Sequence, residues 1–245
     1  MNQTAPRPER TVETLTAVAI AGQVALLASA LLLPFVSDYG WIGDTISELA
    51  TGRFGVLQTA AFVLAGVGTL ALAVVIRRLT AGAWGSVVGS LLVGIYGLGS
   101  ILVAIFPTDP IDDPADVWAQ STTGTIHALV ALVSFVGMVV AMFVLLRTFL
   151  QEPRWRARTG WWMGLFPAAA LSLLFAQSEG PRVGLMQRML VAVIAAWIVV
   201  VALRARSIAA AEDDDLADRL VDRPPTHRAA KRGAPHQQPG RASRA

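Results

Sequence analysis

The chain has 245 residues, of which 54% are hydrophobic and 15% charged, and its mean hydropathy is +0.56. Soluble domains carry about 25% charged residues, so the composition argues against a soluble globular enzyme and for a membrane-embedded chain. The lack of cysteine removes disulfides, thiolate nucleophiles, cysteine zinc sites and iron–sulfur clusters, and the net charge of +3 lies at helix ends and in a tail rather than on the folded basic face that nucleic acid requires.

A bilayer core of about 30 Å takes roughly 20 helical residues. Six apolar runs meet or approach that length: Thr14–Val36, Gly55–Ile76, Trp84–Phe106, Gly124–Leu146, Gly160–Gln177 and Gly184–Leu203. The fifth is the shortest, and the sixth carries Arg188 in its first turns. The predicted fold class is all-α: a polytopic integral membrane protein whose six transmembrane helices form a bundle over 14–206. Residues 1–13 form a cytoplasmic N-terminal segment. Residues 207–245 form a disordered cytoplasmic tail, because Glu212-Asp213-Asp214-Asp215, Pro224-Pro225 and Lys231-Arg232 bring charge and proline without apolar content. Helix six is allowed a short extension over 209–220. The first run resembles a signal peptide at Ala28-Ser29-Ala30 but continues through Leu31-Leu32-Leu33, too far for a signal core.

Arginine near helix ends sets orientation. With the N-terminus in the cytoplasm, the inner segments hold ten arginines (7, 10, 77, 78, 147, 154, 156, 158, 204 and 206) and the outer ones three (53, 182 and 188). The expected location is therefore the cell (plasma) membrane, multi-pass, with both termini cytoplasmic. Helix three reads Gly85-x-x-x-Gly89 with Ser86, Ser90, Gly94, Gly97 and Gly99 following. Small residues at this spacing let backbones approach in lipid and suggest a central helix.

The polar residues gather on the outer side. The first outer loop runs from Asp38 through Asp44 to Thr45-Ile46-Ser47-Glu48, a capping-box spacing whose glutamate is either a structural cap or a carboxylate facing the other outer groups. The second holds Asp109 between Pro107 and Pro110, then Asp112, Asp113 and Asp116, whose spacing is not that of a calcium loop; these read as a solvated face. His127 follows at the start of helix four, where a helix N-terminus favours the neutral ring. The third loop brings Glu179 and Arg182, and then Gln187 and Arg188 inside helix six. A charge at the depth of Arg188 needs a partner or a route to the interface; Glu48, Asp109 and Glu179 are the candidate partners, with Glu48 or Asp109 expected.

Ile46-Ser47-Glu48-Leu49, Phe106-Pro107-x-Asp109, His127 opening a helix, and Gly184-Leu185-x-Gln187-Arg188 resemble, in this order, the bacterial membrane family named domain of unknown function 998 (DUF998), over about residues 14–206. The resemblance implies a six-helix membrane protein and no established activity, so it transfers no catalytic residue. A fainter likeness to eukaryotic six-helix proteins of the Frag1/DRAM type rests on the Ser-Glu end of the first loop.

The candidate catalytic residues are Glu48 and His127, and the candidate binding residues are Ser47, Asp109 and Arg188. They suggest an outer-face site for a lipid or its headgroup, with Glu48 or His127 as general base and Arg188 on an anionic phosphate. A second hypothesis is a non-catalytic membrane partner protein in which the cluster is structural. A third is a transporter of a neutral or lipidic substrate, since the helix centres lack the charges of ion-coupled transport. The partners expected are the lipid bilayer and a lipid headgroup, with no nucleic acid. No metal and no cofactor are expected, because only one histidine lies near the membrane and catalytic zinc usually takes two or three.

Overall fold

The computed structural model describes residues 8–82, 84–109, 121–157, 159–176 and 181–221. The expected all-α class holds: among the described residues there are helices and no strand. The chain divides into two units, residues 1–210 and 211–245. In the first, α1 (Pro8–Leu32), α2 (Gly55–Leu79), α3 (Trp84–Ile105) and α4 (Thr122–Gln151) follow one another, then a short α5 (Pro153–Arg156), α6 (Leu165–Ala176) and the start of α7 (Val183–Val221). Five of the described helices are long and apolar enough to cross a membrane, and α6 is a shorter apolar helix. The protein is a multi-pass membrane protein.

Each boundary has a local cause. Pro8 opens α1, where its fixed φ and missing N–H cost nothing. Pro34 ends the run in a 3-10 turn over Leu33–Phe35. The turn between α2 and α3 passes through Gly82 at φ +105°, a conformation open to glycine. At α4, Ser121 is the N-cap and its Oγ accepts from Gly124 N at 3.1 Å. The fifth run is broken near its start, with a 3-10 turn over Trp161–Gly164 before α6. The 12 residues of α6 rise only about 18 Å, short of a full span. Run six extends further than its apolar stretch, since α7 continues through Ile208 and the acidic residues to Val221. The helical part of the second unit, 211–221, carries an i,i+4 ion pair, Arg219–Asp215 at 2.9 Å. Residues 222–245 of the expected tail, the acidic residues 112, 113 and 116, and Glu179 lie outside the described residues.

Helices α1 to α4 pack in chain order, α1 on α2, α2 on α3 and α3 on α4, and α4 also packs on α6. The glycines of α3 serve both neighbours. A Cβ on Gly66 of α2 would stand 2.6 Å from the Gly97 carbonyl, and one on Gly97 would stand 2.9 Å from that of Gly66. Gly89 lies against Leu145 and Gly99 against Ser134 of α4. Close approach is therefore real, but the central position expected for α3 is not: Leu91 and Leu98 remain exposed. The main core draws on α7, whose Leu190, Ile194, Ile198, Val201 and Ala205 are fully buried with Leu72 of α2 and Met142 and Phe149 of α4. A second, smaller core joins Leu26, Ile46, Phe62, Val103 and Val191. Its only loop residue, Ile46, pins the first loop into the bundle.

Candidate functional site

The first loop, the end of α3 with Asp109, the start of α4 and the start of α7 meet at one end of the bundle. Main-chain and side-chain bonds lace the loop to α7. Leu185 N donates to Ile42 O at 3.1 Å, and Ile46 N donates to Gln187 Oε1 at 2.7 Å. Gly184 allows this, because a Cβ there would collide with the main chain of Asp44.

Arg188, only 5% exposed, completes the lacing. Its Nη1 donates to Asp44 O at 2.6 Å and to Trp41 O at 3.1 Å, and its Nε to Ala30 O at 3.4 Å. Its guanidinium also lies 5.8 Å from the centre of the Trp41 ring, within cation–π reach. The expected carboxylate partner is replaced by main-chain carbonyls, for a geometric reason. Loop carbonyls reach the guanidinium first, and the two carboxylates are engaged locally. Glu48 Oε2 accepts from Thr45 N at 2.6 Å while Thr45 Oγ1 accepts from Glu48 N at 3.2 Å, the reciprocal pair of a capping box. Asp109 accepts from Ser121 N at 2.7 Å and from Ser121 Oγ at 2.8 Å, and Gly124 leaves room for its carboxylate over the start of α4. Arg188 Nη2 is buried and has no hydrogen-bond partner among the described residues.

Ser47 and His127 are brought together across 80 residues of sequence. His127 Nε2 lies 3.0 Å from Ser47 Oγ, and His127 Nδ1 lies 2.7 Å from Phe106 O. Both side chains are buried. A carbonyl only accepts, so Nδ1 carries the proton in the neutral ring. Nε2 then presents its lone pair, and Ser47 donates to it. A hydroxyl, an imidazole acceptor and a third group that fixes the ring is the arrangement of an activated nucleophile. Here the third group is a main-chain carbonyl.

Beside Ser47 is a cavity of about 40 Å³, lined by residues of α1, α2, α3, α4 and α7 together with Ile46 and Ser47. Its polar lining groups include Ser100, Ser134 and Gln187, and among the described residues no lining side chain is ionisable apart from the phenol of Tyr96. Gln187 Oε1 is turned to Ile46 N, so its amide NH₂ points away from that bond. Outside the cavity, apolar depressions run between α3 and α4. One, of about 230 Å³, shares Gly99 and Ser134 with the cavity wall. The next, of about 490 Å³, shares Ile95 and Val133 with the first and extends to Val140. Together they form a groove that adjoins the cavity across the Gly99–Ser134 contact of α3 and α4. Its stretch of α3, from Leu92 to Leu102, is roughly 15 Å long at 1.5 Å per residue.

The structure thus joins Ser47 to His127, gives Asp109 to Ser121, Glu48 to its own turn and Arg188 to the first loop. No group of three or more His, Asp or Glu with metal-holding geometry occurs among the described residues. Sequence reasoning missed Gln187 as a site residue; its place one residue before Arg188 on α7 was the available signal. It also missed Trp41 and the carbonyl of Asp44 as the partners of Arg188.

A family model described as protein of unknown function (DUF998) matches residues 19–204. No curated protein and no solved structure matches the chain.

Proposed function

The chain belongs to the DUF998 family of proteins of unknown function, and on that premise we propose that it binds a membrane lipid at the first-loop end of the bundle. The acyl chain lies in the α3–α4 groove, and the polar linkage reaches Ser47 and His127. One observation carries this reading: an exposed apolar groove between α3 and α4 adjoins, across Gly99 and Ser134, a cavity lined by Ser47, whose hydroxyl is bonded to the buried His127. In a bilayer the solvent for such a groove is the acyl chain itself, so occupancy costs little desolvation. The arginine distribution supports placing this end at the outer face. The unpartnered Nη2 of Arg188 supplies one donor for a headgroup oxygen, in place of the two-pronged grip the sequence suggested.

The test uses a phosphatidylcholine carrying a diazirine in its acyl chain, reconstituted with the full chain and irradiated. Adducts are expected to concentrate on residues 92–102 and 129–140. A Cβ on Gly137 would lie 3.9 Å from Leu92 and 4.0 Å from Ile95, ordinary contacts, so Gly137→Leu fills the groove without striking the backbone. It should deplete those adducts several-fold and spare the ones near Val24 and Leu31. Adducts spread evenly over all outward faces and indifferent to Gly137→Leu would overturn the proposal.

A second reading, a structural membrane protein whose polar cluster only ties segments together, is favoured by the internal bonding of Glu48, Asp109 and Arg188. It requires that Ser47→Ala and His127→Ala lower stability and leave lipid adducts unchanged.

A further inference from the structure

We infer that Ser47 is a nucleophile toward a carboxylic ester of an acyl lipid, with His127 as its base and the Gln187 amide as donor to the charged oxygen that develops; this rests on the lipid-site reading above and gives it a chemistry. The ring of His127 is held in the required tautomer by the Phe106 carbonyl at 2.7 Å, and its free Nε2 faces Ser47 Oγ at 3.0 Å. Gln187 lines the same cavity as Ser47. Its Oε1 is committed to Ile46 N–H at 2.7 Å, which fixes which end of the amide remains to donate.

The cavity selects the class of substrate. Its wall holds no Asp, Glu, Lys or Arg, so a phosphodiester would bury a charge without a counter-charge, at high cost. A carboxylic ester is neutral. At about 40 Å³ the cavity holds a few waters, each of which needs about 10–15 Å³ by the same measure; that is enough for an ester group and too small for its chain. The chain stays in the groove, which lies on the other side of Gly99 and Ser134 from the cavity, so the contact of these two small residues is where the ester must pass.

The step balances without a cofactor. Ser47 Oγ forms a bond to the ester carbon as its proton passes to His127 Nε2. The carbon–alkoxy bond breaks, and the leaving alkoxide takes that proton, giving an alcohol and an acyl-serine. Water then adds to the acyl carbon, losing a proton to Nε2. The Ser47–acyl bond breaks, and Ser47 recovers the proton. The net change is ester and water to acid and alcohol.

The test is hexadecyl fluorophosphonate, which phosphonylates an activated serine with loss of fluoride, added to the full chain in nanodiscs. One adduct per chain, mapped by peptide sequencing to Ser47, is expected in the unaltered protein. His127→Gln should slow labelling about 100-fold or more, with thermal unfolding and elution showing that the variant is folded. Gly137→Leu should slow the hexadecyl probe and spare a butyl one. Vesicles of dioleoyl phosphatidylglycerol or of diacylglycerol should release oleate with the unaltered protein and not with Ser47→Ala. Absence of the Ser47 adduct while the diazirine lipid still marks the groove overturns the nucleophile and leaves the lipid site standing. Loss of both overturns both. A Ser47 adduct without oleate release from either vesicle overturns the ester as substrate.

Discussion

Arg188 Nη1 donates to the main-chain carbonyl of Asp44 at 2.6 Å, so a buried cation on α7 is hydrogen-bonded to a peptide group of the first loop, with the charges of Asp44 and Glu48 also attracting it. Arg188→Ala would leave the carbonyls of Trp41 and Asp44 without their donor. Hydrogen bonds to charged groups contribute about 1.5–3 kcal/mol each, so a loss of about 2–4 kcal/mol is expected, read as a lowered Tm in detergent. Arg188→Lys should recover only part of it, because an ammonium lacks the planar fork. In a double-mutant cycle, Arg188→Ala and Glu48→Gln should show a coupling well below the Arg188→Ala effect, from charge attraction without a hydrogen bond. A coupling as large as the single effect would show that the carboxylate is the true partner.

Asp109 acts on the start of α4. Two bonds to Ser121 place a negative charge where the helix dipole favours it. Asp109→Ala should cost about 1–2 kcal/mol, the scale of a lost N-cap, and Asp109→Asn less. Ser121→Ala on top of Asp109→Ala should cost less than it does alone, because the two share the Asp109–Ser121 hydroxyl bond, while the Ser121 cap on Gly124 is lost in either background. Full additivity in thermal unfolding would contradict the shared bond.

The α2–α3 contact at Gly66 and Gly97 tolerates no side chain. A Cβ at Gly66 meets the opposite carbonyl at 2.6 Å, and backbone cannot rotate away as a side chain can. Gly66→Val should force the helices apart and reduce folded yield severely. Gly94, whose Cβ would meet only a Leu70 methyl at 3.9 Å, should accept alanine at little cost. Equal yields for the two variants would refute the close contact.

Reporter fusions at Pro114 and Arg232 address orientation. An outside signal at Pro114 and an inside one at Arg232 are expected from the arginine asymmetry. An outside signal at Arg232 rejects it.

The helices were legible because the same property, apolar side chains without charge over about 20 residues, marks both burial and lipid exposure. The capping box at Thr45 and Glu48 was legible for the same kind of reason: both partners lie within one turn. The fifth run misled on length, because Gly160, Gly164 and Pro167 sit among apolar residues that hydropathy cannot distinguish from a span. The partners of Arg188 were out of reach, since a main-chain carbonyl leaves no mark in a sequence and every residue offers one. The Ser47–His127 pair needed the fold itself, which closes 80 residues of separation. His127 drew attention by its place at a helix start; Ser47 stood out only within the family-like motif.

The lacing of the first loop to α7 has a consequence for synthesis. Ile46 and Gln187 are separated by 141 residues, which a ribosome adding about 5–20 residues per second produces roughly 7–30 s apart. Throughout that interval the loop has left the ribosome with its donors and carbonyls unmet by α7. Helices α1 to α4 pack in chain order and have no need to wait. The polar end does wait, and it closes when the last helix arrives. A chain interrupted before Gly184 would therefore carry a stacked helix layer with no finished site, its first loop untied and open to a protease. The site is completed only once the start of α7 has been made.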